Sequence, residues 1–221
     1  MMATNKNSFD GFTGKRGNIS TYLRLGVPTS KIAATKITAP PTLNQLIARQ
    51  PIKVVNDFVA SVKNFIFLGF QSEATIAHKT SNDLIMSYTL LNAIKGEYPN
   101  KEIDFTKVLF SKGKMPETPE VEVTLNDDGL KYTWNTKLIQ GKFRMDDQAM
   151  LLAYFPELKS AEHVTNAGKR NVGTAQLSLL RNETPTVMEI YIYFMSADHK
   201  KVSNSTYLGQ LILPATINTS I

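Results

Sequence analysis

The chain has 221 residues, of which 42% are apolar and 20% charged, with a formal net charge of +6 and no cysteine. This is globular composition, long enough to bury a core without a staple, and it excludes disulfide scaffolds, thiol nucleophiles and thiolate metal sites. The charge is uneven: residues 1–40 hold six basic groups against Asp10 alone, residues 41–103 hold six against five, and residues 104–221 hold thirteen of each sign.

The positive excess therefore sits in residues 1–40, a basic arm punctuated by Gly11, Gly14, Gly17 and Gly26 and closed by Pro40 and Pro41. Phe9, Phe12, Ile19, Tyr22, Leu23 and Leu25 are its apolar anchors, and Lys15, Arg16 and Arg24 are interleaved with them. These nine residues are the candidate assembly site. Asn18–Leu25 partly alternates and reads as a strand, one that is stable only when added to a sheet edge of its own chain or of a neighbour. A loose tail is the competing expectation.

Residues 41–103 read as a helical hairpin. Val55, Phe58, Val59, Val62, Phe65 and Ile66 recur at helical spacing, with Thr42 as a capping residue and Gly69 as a stop. Pro51 predicts either a kink or two helices, over 42–49 and 52–69. A second helix carries Leu84, Ile85, Tyr88, Leu91 and Ile94, with Ser81 or Asn82 as its cap and Gly96 as its stop. The apolar faces need a cover, either from the following residues or from another copy.

Residues 104–221 change to period two. Val121, Val123 and Leu125 alternate up to the turn Asn126-Asp127-Asp128-Gly129, and Leu130, Tyr132 and Trp134 alternate after it, which predicts a β-hairpin. Further strands are expected at 107–110, 149–155, 175–179, 187–195 and 207–213, seven in all. In the Val187–Met195 run, Tyr191, Tyr193 and Met195 fall on one face and Ile192 and Phe194 on the other. Both faces are apolar, so this strand is expected to be central and covered. The fold class expected is α+β: an N-terminal extended arm, a helical hairpin and a C-terminal seven-stranded immunoglobulin-like sandwich.

Two segments resemble fibronectin type III domains. Leu130-Lys131-Tyr132-Thr133-Trp134 is similar to their second strand, whose Trp fills the core, and Tyr191–Ala197 to their sixth. Ser203 and Ser205 stand where that fold places small residues before its last strand. The whole chain resembles an uncharacterised family common in Bacteroidota. The resemblance is carried by Gly11-Phe12-Thr13-Gly14-Lys15-Arg16-Gly17, by Asn92–Gly96 with Pro99, by Ile103-Asp104-Phe105, by Ser111-Lys112-Gly113 and by Lys201–Gly209. It implies a shape and no activity.

Little in the sequence points to catalysis. His78, His163 and His199 are isolated and lack helical zinc spacing, so surface positions are expected. Asp127-Asp128 and Asp146-Asp147 read as turn chemistry rather than as a cation site. Gly11-x-x-Gly14-Lys15 has the wrong spacing for a phosphate-binding loop, and no Gly-x-Ser-x-Gly elbow occurs. No cofactor or metal is expected. The first residues lack the apolar region of a signal peptide, and the longest apolar run, Phe65–Phe70, is too short to span a bilayer. Synthesis in the cytoplasm without a leader, and no transmembrane insertion, are the expectations. The function expected is structural: a non-enzymatic assembly protein, a virion component or filament subunit, whose arm docks on other copies or other assembly subunits. The alternative is a binding module for a glycan, protein or nucleic acid, acting through the basic arm or through loops at 135–147 and 157–173.

Overall fold

A computed structural model describes residues 3–4, 13–34, 38–136 and 145–215. The chain is α+β and divides into two compact units, Met1–Leu43 and Asn44–Ile221.

The first unit is a sheet. Strands β1 (Ala3–Thr4), β2 (Gly14–Arg16), β3 (Ile19–Arg24) and β4 (Val27–Ile32) are antiparallel, in the order β1-β4-β3-β2. Two-residue turns join them at Gly17-Asn18 and Leu25-Gly26. Gly17 at φ 59° and Gly26 at φ 80° adopt the left-handed backbone that matches the twist of such hairpins. The strand expected at Asn18–Leu25 is β3, and it pairs within its own chain.

The second unit begins one residue into helix α1 (Leu43–Ser61), which runs through Pro51. Pro51 withholds a hydrogen bond from the Ile47 carbonyl, but residues 43–49 are all exposed, so water is at hand to replace it. The break comes instead at Val62 (φ −122°, ψ 14°), before α2 (Lys63–Ala77). Gly69 is not a stop but lies inside α2, where a Cβ would stand 2.2 Å from the Phe110 carbonyl oxygen. Helix α3 (Ser81–Asn92) is capped one residue earlier than expected. The Asp83 amide donates to Thr80 Oγ1 at 3.0 Å, and the Thr80 amide donates to the Asp83 carboxylate at 3.3 Å. It ends before Gly96, which at φ 78° turns the small hairpin of β5 (Ile94–Lys95) and β6 (Glu102–Ile103).

Seven described strands follow. They are β7 (Glu122–Asn126), β8 (Gly129–Thr133), β9 (Gln148–Phe155), β10 (Ser160–Lys169), β11 (Thr174–Ser178), β12 (Thr186–Met195) and β13 (Thr206–Leu213). Two expectations need correction. Residues 107–110 form no strand, because Asp104 caps a single 3-10 turn at Phe105–Lys107, its carboxylate accepting from the Thr106 amide. Residues 157–173 are not one loop but contain β10. The strands make a sheet β10-β9-β12-β13 and a sheet β11-β8-β7.

The four-stranded sheet carries a core on each face, as strict alternation in β9 and β12 requires. Met150, Leu152, Tyr154, Tyr191, Tyr193 and Met195 meet Val55, Phe58, Phe65, Ile66 and Phe70 of the helices. Leu151, Ala153, Ile190, Ile192 and Phe194 meet Leu130, Tyr132, Trp134 and Leu177 of the three-stranded sheet. The cover that the helices need is thus supplied by the residues that follow them. Trp134 packs edge-on against Phe194 with ring centroids 5.3 Å apart.

A strap between helices and sheets joins distant motifs. The Phe110 amide donates to Ser205 Oγ at 2.8 Å, Ser111 Oγ donates to the Ser203 carbonyl at 2.8 Å, and the Met115 amide donates to the Val202 carbonyl at 3.0 Å. Gly113 passes so close that a Cβ would lie 2.1 Å from the Val202 carbonyl oxygen.

Candidate assembly surface

Of the nine candidate arm residues, Phe9 and Phe12 lie outside the described residues. The other seven fall on one sheet, and its pairing register sorts them onto two faces. Ile19 opposes Ile32, Thr21 opposes Ser30, Leu23 opposes Pro28 and Arg16 opposes Ile19. Directly opposed residues of an antiparallel pair share a face. One face therefore carries Ile19, Leu23, Pro28 and Ile32 around the central polar pair Thr21 and Ser30, with Arg16 at its edge. The other carries Tyr22, Thr29 and Val27 with Lys15, Arg24 and Lys31.

Among the described residues, no element of its own unit covers this face. Ile19 is 49% exposed, Leu23 60% and Ile32 70%. A half-buried antiparallel sheet normally turns its apolar side inward. Leu25 adds a second anomaly. It occupies the left-handed region at φ 50° in the β3–β4 turn, a position suited to Asn or Gly, and its side chain is also exposed. A leucine there carries the strain of the turn without any burial in return.

The second unit holds a buried charged centre that the sequence did not reveal. Arg170 is fully buried, with Nε 3.3 Å from the Asp147 carboxylate, and Asp147 is 1% exposed. The guanidinium lies over the Phe194 ring, 3.9 Å from its centroid, and also donates to Thr118 Oγ1 and Met115 Sδ. The Arg170 carbonyl accepts from Trp134 Nε1 at 2.7 Å. Burial pulls the Arg170 pKa down to about 10, and Asp147 opposes that shift, so the group is a cation at neutral pH. Of the expected turn pair, Asp146 is exposed and Asp147 belongs to this centre. The signal available was weak: Lys169-Arg170 reads as a solvated basic pair.

A cleft of about 590 Å³ opens beside this centre, between α2, residues 113–116 and the β12–β13 turn. Its charged lining is of mixed sign, with Glu73 and Asp198 beside Lys114, Lys200 and Lys201, while Asp147 is held by Arg170. His163 rests its ring 5.4 Å from that of Phe65, and partial burial lowers its pKa. His78 ends α2 and His199 sits in the β12–β13 turn, both in left-handed backbone. Among the described residues no three His, Asp or Glu side chains gather as metal ligands, and no helix is long and apolar enough to cross a membrane. Asp127 and Asp128 form the β7–β8 turn, as expected.

Neither the curated proteins nor the solved structures contain a match to this chain. Its sequence matches a family of unknown function, DUF6266, over residues 11–209, a span that takes in both units. The chain is therefore a member of the DUF6266 family.

Proposed function

We propose that this protein is a non-enzymatic assembly subunit whose N-terminal sheet docks onto a neighbouring copy. The observation that carries this reading is the exposure of Ile19, Leu23 and Ile32 on one face of the sheet, with exposed Leu25 in the left-handed turn that follows β3. Exposed apolar area on a small sheet is unfavourable in water and is relieved by burial against a partner. The family match spans β2, β3 and β4 together with most of the second unit.

The body is read as a fibronectin type III-like sandwich used as a rigid platform. Support comes from strand order: the Trp134 hairpin strand is the second of the seven described strands and the tyrosine-rich strand is the sixth, as the resemblance implies. Virions and surface filaments are the assemblies in which such a platform with a docking arm would serve.

Light scattering on the full-length chain tests the reading. The expected result is a mass that rises above the 24.6 kDa of one chain with concentration, and that returns to one chain in the variant Ile19→Asp/Leu23→Asp/Ile32→Asp. An unchanged mass for both proteins at every concentration contradicts it.

A second reading has its own observation. Lys15, Arg24 and Lys31 share the other face with Tyr22, an arrangement able to bind a polyanion. Binding of single-stranded nucleic acid that falls steeply with salt, and that is lost on replacing these three cations, would favour it over self-assembly.

A further inference from the structure

We infer that the arm's basic edge strand β2 adds to the acidic edge strand β7 of a second copy, an inference that rests on the assembly reading above. Two open sheet edges of opposite charge occur on the same chain. β2 is the outer strand of the arm sheet and carries exposed Lys15 and Arg16. β7 is the outer strand of the three-stranded sheet, and residues 115–130 hold Glu117, Glu120, Glu122, Asp127 and Asp128 with no basic residue.

An edge strand presents unpaired backbone N–H and C=O groups and is a template for another strand unless it is blunted. The edges of the four-stranded sheet belong to interrupted pairings. The β10–β9 register shifts between Thr165 and Gly168, and the β13–β12 register shifts at Ile190/Tyr191. β7 has no such interruption: it pairs with β8 over five consecutive residues, Glu122–Asn126. Glu122 on the strand and Glu120 just before it are carboxylates that repel a second β7 and so disfavour edge pairing between identical strands. They attract a strand carrying Lys15 and Arg16. Asp127 is engaged by Arg181 at 3.4 Å, Glu120 accepts from Asn135 at 2.8 Å and Glu117 accepts from Asn204 at 3.2 Å. Glu122 carries the charge on the strand itself. Because the two joined surfaces differ, the contact is head-to-tail and propagates into a filament or closes into a ring.

Charge exchange in the full-length protein tests this. One variant is Lys15→Glu/Arg16→Glu and the other is Glu120→Lys/Glu122→Lys. All four positions are exposed, and circular dichroism confirms that each variant folds. Each variant alone is expected to self-associate about tenfold more weakly than the parent chain. An equimolar mixture is expected to recover association, since each arm then meets an edge of opposite sign. Added salt is expected to weaken the parent assembly. Parent-like association of both variants would overturn the β2–β7 contact and leave arm docking standing, and so would a mixture that fails to recover. A parent chain that stays single at every concentration would overturn both.

Discussion

Ser205 accepts the Phe110 amide hydrogen at 2.8 Å, and this buried bond fastens the strap that leaves the helices to the segment that enters β13. Ser203, two residues earlier, both accepts from the Phe194 amide through its hydroxyl and donates its own amide to the Phe194 carbonyl. The small polar residues that carry the resemblance near the C-terminus are thus structural, because each satisfies backbone groups in a dry crossing. Ser205→Ala leaves the Phe110 N–H without that acceptor and is expected to cost about 1–3 kcal/mol in urea denaturation. A loss below the error of the measurement would contradict the strap's role.

Arg170 and Asp147 form a buried ion pair, and the two ways of removing it should differ. Arg170→Met takes the buried cation away from the Asp147 carboxylate and is expected to cost roughly 3–5 kcal/mol. Arg170→Met/Asp147→Leu removes both charges and is expected to be more stable than Arg170→Met alone. Chemical denaturation of both variants checks the order. A single variant as stable as the parent chain would show that the pair does not hold the centre together.

Leu25 is expected to separate stability from assembly. Asn tolerates the left-handed turn better than Leu, so Leu25→Asn should stabilise the β3–β4 hairpin by about 1 kcal/mol. The same change removes exposed apolar surface and should weaken self-association. Hydrogen exchange of the β3 and β4 amides, paired with light scattering, reads both effects. Unchanged association would remove Leu25 from the docking surface.

Alkaline stability follows from the buried tyrosines. Burial raises the phenol pKa of Tyr132, Tyr191 and Tyr193 above the ordinary value of 10. The unfolded chain releases these protons near pH 10 while the folded chain keeps them. The stability that all three leave intact below pH 10 is therefore lost as pH rises beyond it, by about 1.4 kcal/mol per pH unit for each residue. Arg170 opposes this with a single group, because its folded pKa of about 10 lies below its ordinary value. Tyrosinate absorbance from the three residues is expected to appear only in step with unfolding. Their ionisation near pH 10 in a chain that keeps its circular dichroism would contradict the burial.

How much of this was legible in the sequence depended on whether one physical signal dominated each segment. The β7–β8 hairpin was legible because alternation and an Asn-Asp-Asp-Gly turn agree. β12 was legible as central because both of its faces are apolar. Strand β10 was not, since Ser160–Lys169 is a half-buried edge with no apolar alternation and with Asn166 in left-handed backbone. Pro51 and Gly69 were read as helix punctuation, but at Pro51 water is available to the deprived carbonyl and at Gly69 a neighbouring backbone passes too close for a side chain. The arm's basic charge and scattered apolar residues stand out in the sequence. Their sorting onto two faces needed the strand register, and the Arg170 centre needed contacts between residues far apart in the chain.

Isotope-mixed cross-linking distinguishes an arm that docks on a neighbouring chain from one that stays on its own. Full-length chains grown with natural and with heavy isotopes are mixed in equal amounts, allowed to assemble and treated with a lysine-reactive linker. Cross-linked peptides from Lys15 and Lys31 that join a heavy to a light chain are expected. Cross-links at those lysines that join only peptides of one isotope would show that the arm stays on its own molecule, and would contradict the account.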